Sequence, residues 1–202
     1  MTMRHLAVAP IALAVAVFLA GCVGDPAPAP TDTPIESATP TPEPTETAAP
    51  RTFVMPDDCL GILPQERQDS FAAQNLSLLG GPGGKFEHYY ADPTPEEQAG
   101  GISCIWGDED VPTSTITISV APLTLDSRAL VVDSLLAQGL NESVLDDGIS
   151  YAQLGDENSV PAILNIVRND SWVSIIEALG GEAFFDEAVE LAGEVADQVY
   201  TS

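Results

Sequence analysis

The clearest pattern of hydrophobic and polar positions is a strict alternation at 114–121, where Ile116, Ile118 and Val120 are separated by Thr and Ser. Successive side chains of a β-strand point to opposite faces, so this alternation predicts a strand with one apolar face. Shorter runs rich in Val, Ile and aromatic residues predict further strands. These strands are expected at 85–90, 102–106, 150–154, 160–168 and 171–179.

Two longer stretches have apolar residues at helical spacing, one at 125–138 and one at 182–200. Gly180 and Gly181, which precede the second stretch, end the last predicted strand. Two shorter helices are predicted near the start of the domain. They are expected at 57–63 and 64–74, the latter with Pro64 in its first turn.

The predicted elements follow one another in an order that indicates the fold class. The last two strands are separated by Asn169 and Asp170, a pair typical of a two-residue hairpin turn. Strands grouped by hairpins, with helices between and after them, predict an α+β fold. We expect an antiparallel sheet of about five strands covered by helices, in one domain at 53–202. About 150 residues are a usual size for a single domain with its own core.

The first 22 residues have a different pattern, in which Arg4 precedes an uncharged apolar run at 6–20. A basic start, an apolar centre and small residues before a cleavage point are typical of a secretory signal peptide. A transmembrane helix is the competing interpretation, but the run is short for a span and contains Pro10. The letters LAGC, which end at Cys22, resemble the bacterial lipobox.

This resemblance implies that residues 1–21 are a lipoprotein signal peptide and that Cys22 carries the lipid after cleavage. Two or more acyl chains hold a protein firmly at a membrane that the chain does not cross. We therefore expect an extracytoplasmic protein, anchored to the outer face of the cell membrane through Cys22.

Residues 22–52 join this anchor to the domain and hold eight prolines among many Thr and Ala. No hydrophobic period is visible there, so the segment can bury too little apolar surface to offset its ordering entropy. We predict a disordered Pro/Thr-rich tether. O-glycosylation of the tether, or its recognition by a proline-binding module, stays open as an alternative.

The negative charge of the domain disfavours partners that are themselves strongly negative. Residues 53–202 carry 26 Asp and Glu against four bases, and the full chain has a formal net charge of −25. Nucleic acid and anionic lipid surfaces both require a basic footprint, so neither is expected as a partner. Because the acids are spread along the chain, a solubilising surface is the simplest interpretation.

Cys59 and Cys104 are the two remaining cysteines once Cys22 carries lipid. An even pair in an oxidising compartment predicts a disulfide. A metal site would need more ligands, and His88 is the only histidine after the signal peptide. We predict no metal and no other cofactor.

A second resemblance involves both cysteines. The lipobox and tether, followed by CLGILP from Cys59 and by SCIW around Cys104, are similar to actinobacterial exported lipoproteins of unknown function. Related mycobacterial lipoproteins and the extracellular sensor domain of a serine/threonine kinase share this general plan. Membership would imply a disulfide and a helix-covered antiparallel sheet.

Candidate chemistry in the domain is sparse. His88 is the one side chain that ordinarily titrates near neutral pH, but no nucleophile motif accompanies it. Trp106 and Trp172 lie on predicted strands, where each could line a ligand pocket with His88 or pack in the core. Acidic clusters at 108–110, 146–147 and 156–157 match no calcium loop. No residue is assigned as catalytic.

Three functional hypotheses follow. The first is a non-catalytic domain that binds a small apolar ligand, a glycan or an envelope protein. The alternative is a cell-envelope hydrolase that uses His88 or a pair of carboxylates. The third is a structural spacer with a solid core and flat acidic surfaces. A concave pocket without convergent titratable groups would favour binding, whereas His88 in a cleft with a hydroxyl and an acid would favour catalysis.

Overall fold

The computed structural model describes residues 51–111 and 114–201. The predicted signal peptide, Cys22 and all but the last two residues of the predicted tether lie outside these residues. Within the described ranges, no helix combines the length and apolarity that crossing a membrane requires.

The centre of the fold is an antiparallel sheet of seven strands. In chain order these strands are β2 (Ser77–Gly80), β3 (Ile102–Gly107), β4 (Thr115–Pro122), β5 (Asn141–Leu145), β6 (Gly148–Gln153), β7 (Ala162–Val167) and β8 (Ser171–Glu177). Their spatial order is β2-β3-β4-β8-β7-β6-β5. A separate two-stranded sheet pairs β1 (Thr52–Phe53) with β9 (Tyr200–Thr201) and so joins the two ends of the described chain.

Four α-helices accompany the sheet: α1 (Gln65–Ala73), α2 (Pro95–Gln98), α3 (Leu125–Ala137) and α4 (Glu182–Val199). Threonine side chains start two of them. Thr94 and Thr124 each accept a hydrogen bond from the backbone N–H three residues later, which satisfies a donor that the helix itself cannot. A 3-10 helix, Cys59–Ile62, precedes α1 and is capped by the carboxylate of Asp58.

One face of the sheet packs against α4. Four branched side chains of the central strands are buried there: Ile118, Val120, Val173 and Ile175. The residues that alternate with them along each strand point to the opposite face. The helix contributes a stripe of small and branched residues at i, i+3, i+4 and i+7 spacing. This stripe consists of Ala188, Leu191, Ala192, Val195 and Val199.

The other face packs against α3 and α2. Leu135 of α3 joins Leu140, Tyr151, Val167 and Trp172 in a second, smaller apolar cluster. The central strands are therefore covered on both faces, and each face has its own core.

The predicted disulfide between Cys59 and Cys104 is confirmed. It joins the 3-10 helix to β3, with a Cα–Cα distance of 5.5 Å, and both residues are fully buried. The predicted α+β class and antiparallel sheet are also confirmed, as are the helices at 125–138 and 182–200 to within one residue.

The expected number of about five strands is wrong, because the main sheet has seven. The sequence argument missed β2 and β5. All five residues of β5 are exposed at the sheet edge, so burial imposes no alternation on them. The strand predicted at 85–90 is also wrong, since the structure has only an isolated bridge at Phe86, with exposed neighbours on both sides.

Candidate functional site

Five buried polar side chains stand directly opposite one another across neighbouring strands of the main sheet. Ser103 of β3 pairs with Ser119 of β4, which pairs with Ser174 of β8. Ser174 pairs with Asn165 of β7, and Asn165 pairs with Tyr151 of β6. None of the five is more than 3% exposed. We call these five residues the polar row.

Strand register places the polar row on the face that α2 and α3 cover. Directly opposed residues of antiparallel strands share a face, so one aligned register brings all five together. The apolar residues on the α4 face fix that register, since a slip of one residue would turn Ile118 and Ile175 away from their core.

Hydrogen bonds order one end of the polar row. The Ser119 hydroxyl donates to the Ser103 hydroxyl oxygen at 2.8 Å. The hydroxyl of Thr94, which precedes α2, lies 2.6 Å from the same Ser103 oxygen. Farther along the row, the indole N–H of Trp172 donates to the Asn165 side-chain oxygen at 2.9 Å. Ser174 lies between these two bonded groups.

A cavity of about 200 Å³ lies over the middle of the polar row, beneath α2 and α3. Serine side chains are short, so they leave space where larger residues would contact the covering helices. The walls combine apolar groups from α3 and the neighbouring strands with hydroxyl and amide groups. The apolar wall residues include Leu135, Ile163, Trp172 and Ile176, and Gln138 and Tyr90 lie at the polar side.

Glu96 brings a carboxyl group to this cavity from the first turn of α2. Its side chain is almost fully buried, at 5% exposure. Burial raises the pKa of Glu96 above the usual carboxyl value, while hydrogen bonding to Ser174 and Thr94 partly opposes that rise. A carboxyl group with a raised pKa takes up a proton more readily than an exposed one, and once protonated it can both donate and accept hydrogen bonds.

The three candidate pocket residues, for which packing in the core was the alternative, occupy three different places. Trp172 lines the cavity on the polar row. Trp106 lies on the opposite face of the sheet, where its ring packs against Phe71 with centroids 5.3 Å apart. His88 is exposed and lines a separate cavity of about 210 Å³ with Tyr89 and Glu97.

Two of the three acidic clusters serve local turns, and in the third Asp147 accepts a hydrogen bond from Arg168 at 2.6 Å. The Asp108 carboxylate accepts a hydrogen bond from the backbone N–H of Asp110 at 2.8 Å. The Asp156 carboxylate accepts from the N–H groups of Asn158 and Ser159, which lowers the pKa of Asp156. In the described part of the chain, no three His, Cys, Asp or Glu side chains come together as a metal site would require.

Sequence reasoning missed the polar row and Glu96. The signal for the row was a Ser or Asn directly flanked by apolar residues within a predicted strand, as at Ser103, Asn165 and Ser174. The alternation at 114–121 indicated one buried face, with Thr117 and Ser119 on the other. In the structure both of these residues are also buried, because α2 and α3 cover that second face.

No family model, curated protein or solved structure matches the chain. The fold and the cavity together define a disulfide-linked α+β domain with a small, partly open cavity, lined by apolar side chains and by hydroxyl, amide and carboxyl groups.

Proposed function

We propose that this chain is a lipid-anchored extracytoplasmic binding protein, and that its domain takes a small neutral ligand bearing several hydroxyl groups, the size of one sugar ring. The single observation that supports this proposal is the cavity over the polar row. Its volume of about 200 Å³ lies below the roughly 300–1,000 Å³ of pockets for drug-sized ligands. A small ligand therefore suits it best.

The chemistry of the lining favours a neutral polyhydroxylated ligand. Hydroxyl groups of a ligand both donate and accept. The Asn165 amide N–H groups can donate to them, while the Ser119 oxygen, whose own proton goes to Ser103, can accept. Ser174 adds a second hydroxyl oxygen to the lining. An aromatic wall such as Trp172 suits the apolar C–H face of a sugar ring. Among the described residues, the lining has no Lys, Arg or His to attract an anion, and Glu96, the one acid among them, has a raised pKa.

The expected location agrees with such a ligand. A lipid on Cys22 and a proline-rich tether would hold the domain outside the cell membrane, among envelope glycans. The alternative of an envelope hydrolase receives less support. His88 shares its cavity with Glu97, but that carboxylate accepts from the Thr94 N–H in the cap of α2. Within the described residues, the His88 side chain forms no hydrogen bond to an acid or a hydroxyl.

Titration with a panel of neutral monosaccharides, followed by NMR shifts of the protein, tests the binding proposal. At least one sugar is expected to shift resonances of Ser119, Ser174 and the Trp172 indole in a saturable manner. Ser174→Val should abolish binding, because the added methyl groups fill the cavity. Ser143→Val is the matched control, since Ser143 is exposed on β5. Equal binding by both variants, or no saturable shift with any sugar, would refute the proposal.

Membrane anchoring is tested separately. Mass spectrometry of the protein from its own host is expected to show an N-terminal diacylglyceryl cysteine at position 22. Cys22→Ala should release the protein from the membrane fraction. An unprocessed amino terminus at Met1 would rule out the anchor without affecting the cavity.

A further inference from the structure

A second cavity, of about 290 Å³, lies on the opposite side of the main sheet from the polar row. It is bounded by the start of β4, the end of β8 and the first turns of α4. Its apolar walls are formed by Leu76, Ile116, Leu179 and Phe184. This cavity shares no lining residue with the cavity over the polar row.

Glu177, the last residue of β8, contributes a buried carboxyl group to this second cavity. The residue is only 3% exposed, and its Oε1 atom has no hydrogen-bond partner within the described residues. Glu177 stands opposite Ile116 on one side and Ala162 on the other, and neither side chain can donate a hydrogen bond. A buried acceptor without a partner is costly, so a donor from outside the chain would be strongly favoured.

The charges around Glu177 show which donor fits. Glu187 of α4 and Asp108 of the turn after β3 also line the cavity. Arg67 of α1 lies 3.6 Å from Glu187 and bonds Glu194 more closely, at 2.7 Å. Arg67 is not among the described residues that line the cavity, and none of those residues is Lys, Arg or His. The cavity therefore combines apolar walls, net negative charge and an unused buried acceptor.

We propose that this second cavity binds a primary ammonium group carried on a short apolar chain. The ammonium would donate to Glu177 Oε1 and offset the charge of Glu187, while the chain would lie against Leu76 and Phe184. A bound metal ion is a poorer fit, because no three metal-ligating side chains converge in the described ranges. The inference does not depend on the proposed sugar site.

NMR titration of the purified full-length protein with n-butylammonium chloride tests the proposal. We expect saturable shifts of Ile116 and Phe184, and none with n-butanol, which has a similar chain but no charge. Glu177→Gln should weaken binding by at least about tenfold, the effect of losing a charged hydrogen bond. Glu182→Gln is the matched control, because it removes the same charge from an exposed position on α4.

A second measurement on the unsubstituted protein covers the case in which Glu177→Gln does not fold. Burial and the nearby charge of Glu187 raise the pKa of Glu177 to about 8, against the opposing effect of Arg67. An ammonium that binds the carboxylate form must therefore release a proton at neutral pH. Binding heats should then depend on the ionisation enthalpy of the buffer, and affinity should rise from about pH 7 to pH 9.

Three results would overturn the proposal: n-butanol binding as tightly as n-butylammonium, folded Glu177→Gln binding like the unsubstituted protein, or no saturable shift at all. Equal binding of n-butanol would mean that the cavity binds apolar groups without selecting for charge. The absence of any saturable shift would mean that the cavity holds only water. Neither result would bear on sugar binding over the polar row.

Discussion

The indole N–H of Trp172 donates a hydrogen bond of 2.9 Å to the side-chain oxygen of Asn165 and thereby joins β8 to β7 beside the candidate sugar cavity. Both residues are buried, at 4% and 3% exposure. A buried indole donor without an acceptor loses the hydrogen bond that water would otherwise supply. Asn165 is therefore a member of the polar row and also holds Trp172, the aromatic wall of the cavity, in position.

Asn165→Leu should lower the free energy of unfolding by about 1–3 kcal/mol, because it leaves the Trp172 indole N–H without a partner. Urea denaturation measures the change. Asn158→Leu is the matched control, since Asn158 is exposed, and its effect should stay within about 0.5 kcal/mol. Equal destabilisation by both substitutions would show that the buried hydrogen bond contributes nothing.

Arg67 of α1 holds three acids of α4: it lies 2.7 Å from Glu194, 3.3 Å from Glu190 and 3.6 Å from Glu187. Arg67→Gln removes the shared cation and leaves the three carboxylates to repel one another. We expect a loss of about 1–3 kcal/mol in the free energy of unfolding, measured by urea denaturation, and a smaller loss in concentrated salt.

The control for Arg67 is Arg51→Gln, which removes the ion pair with Asp197 together with hydrogen bonds to the carbonyl oxygens of Ala196 and Tyr200. The side chains of Arg51 and Asp197 are 45% and 75% exposed, so this pair should contribute less than about 1 kcal/mol. If Arg67→Gln costs no more than Arg51→Gln, the network does not join α1 to α4 energetically.

Glu177 should make the protein less stable as the pH rises. Its pKa is about 8 in the folded protein, whereas an unfolded glutamate has a pKa of about 4.3. Between these values the folded state binds more protons than the unfolded state, so the free energy of unfolding falls with increasing pH. The fall is at most about 1.4 kcal/mol per pH unit and ends above about pH 8.

Glu177→Gln cannot lose that proton, so the difference between the variant and the unsubstituted protein isolates this one group. Urea denaturation at intervals between about pH 5 and pH 9 should show the variant gaining relative stability up to about pH 8, with the gain levelling off above that. A difference that does not change with pH would mean that Glu177 is ionised in the folded protein at all these values.

The disulfide should contribute a large share of the stability. Cys59 and Cys104 are 45 residues apart, and closing a loop of that length contributes about 4 kcal/mol in the chain-entropy model. The double substitution Cys59→Ser with Cys104→Ser should lose stability of this order in thermal and urea unfolding. The unsubstituted protein should approach the same stability in a strong reductant, and resistance to reductant with full stability would contradict the prediction.

Several elements of the fold were predictable because their signals are local. The helix α4 carries a broad apolar stripe, and β4 alternates strictly, so each shows its own period within one segment. The turn of Asn169 and Asp170 between β7 and β8 was also predictable from two residues. By contrast, β5 has no buried residue, and its strand conformation comes from pairing with β6.

The residues of the candidate sites could not be predicted together, because their meaning depends on strand order. Ser103 and Ser174 are 71 positions apart in the chain, and each taken alone is an ordinary polar residue in a strand. They belong to one polar row because β4 lies between β3 and β8 with one continuous register. Trp106 and Trp172 also look alike in sequence, yet the structure places them on opposite faces.

The sequence by itself determined the α+β class, the two long helices and the pairing of the only two cysteines in the domain. The spacing of apolar residues identifies the helices and strands, and two cysteines can form only one disulfide. Tertiary structure alone decided which polar groups are buried. Glu96 is covered by α2 meeting the sheet, and Glu177 by α4 meeting β8. The physical reason is that the burial of a side chain depends on packing between segments that are distant in the chain. The period of a helix or strand, by contrast, is visible in neighbouring residues.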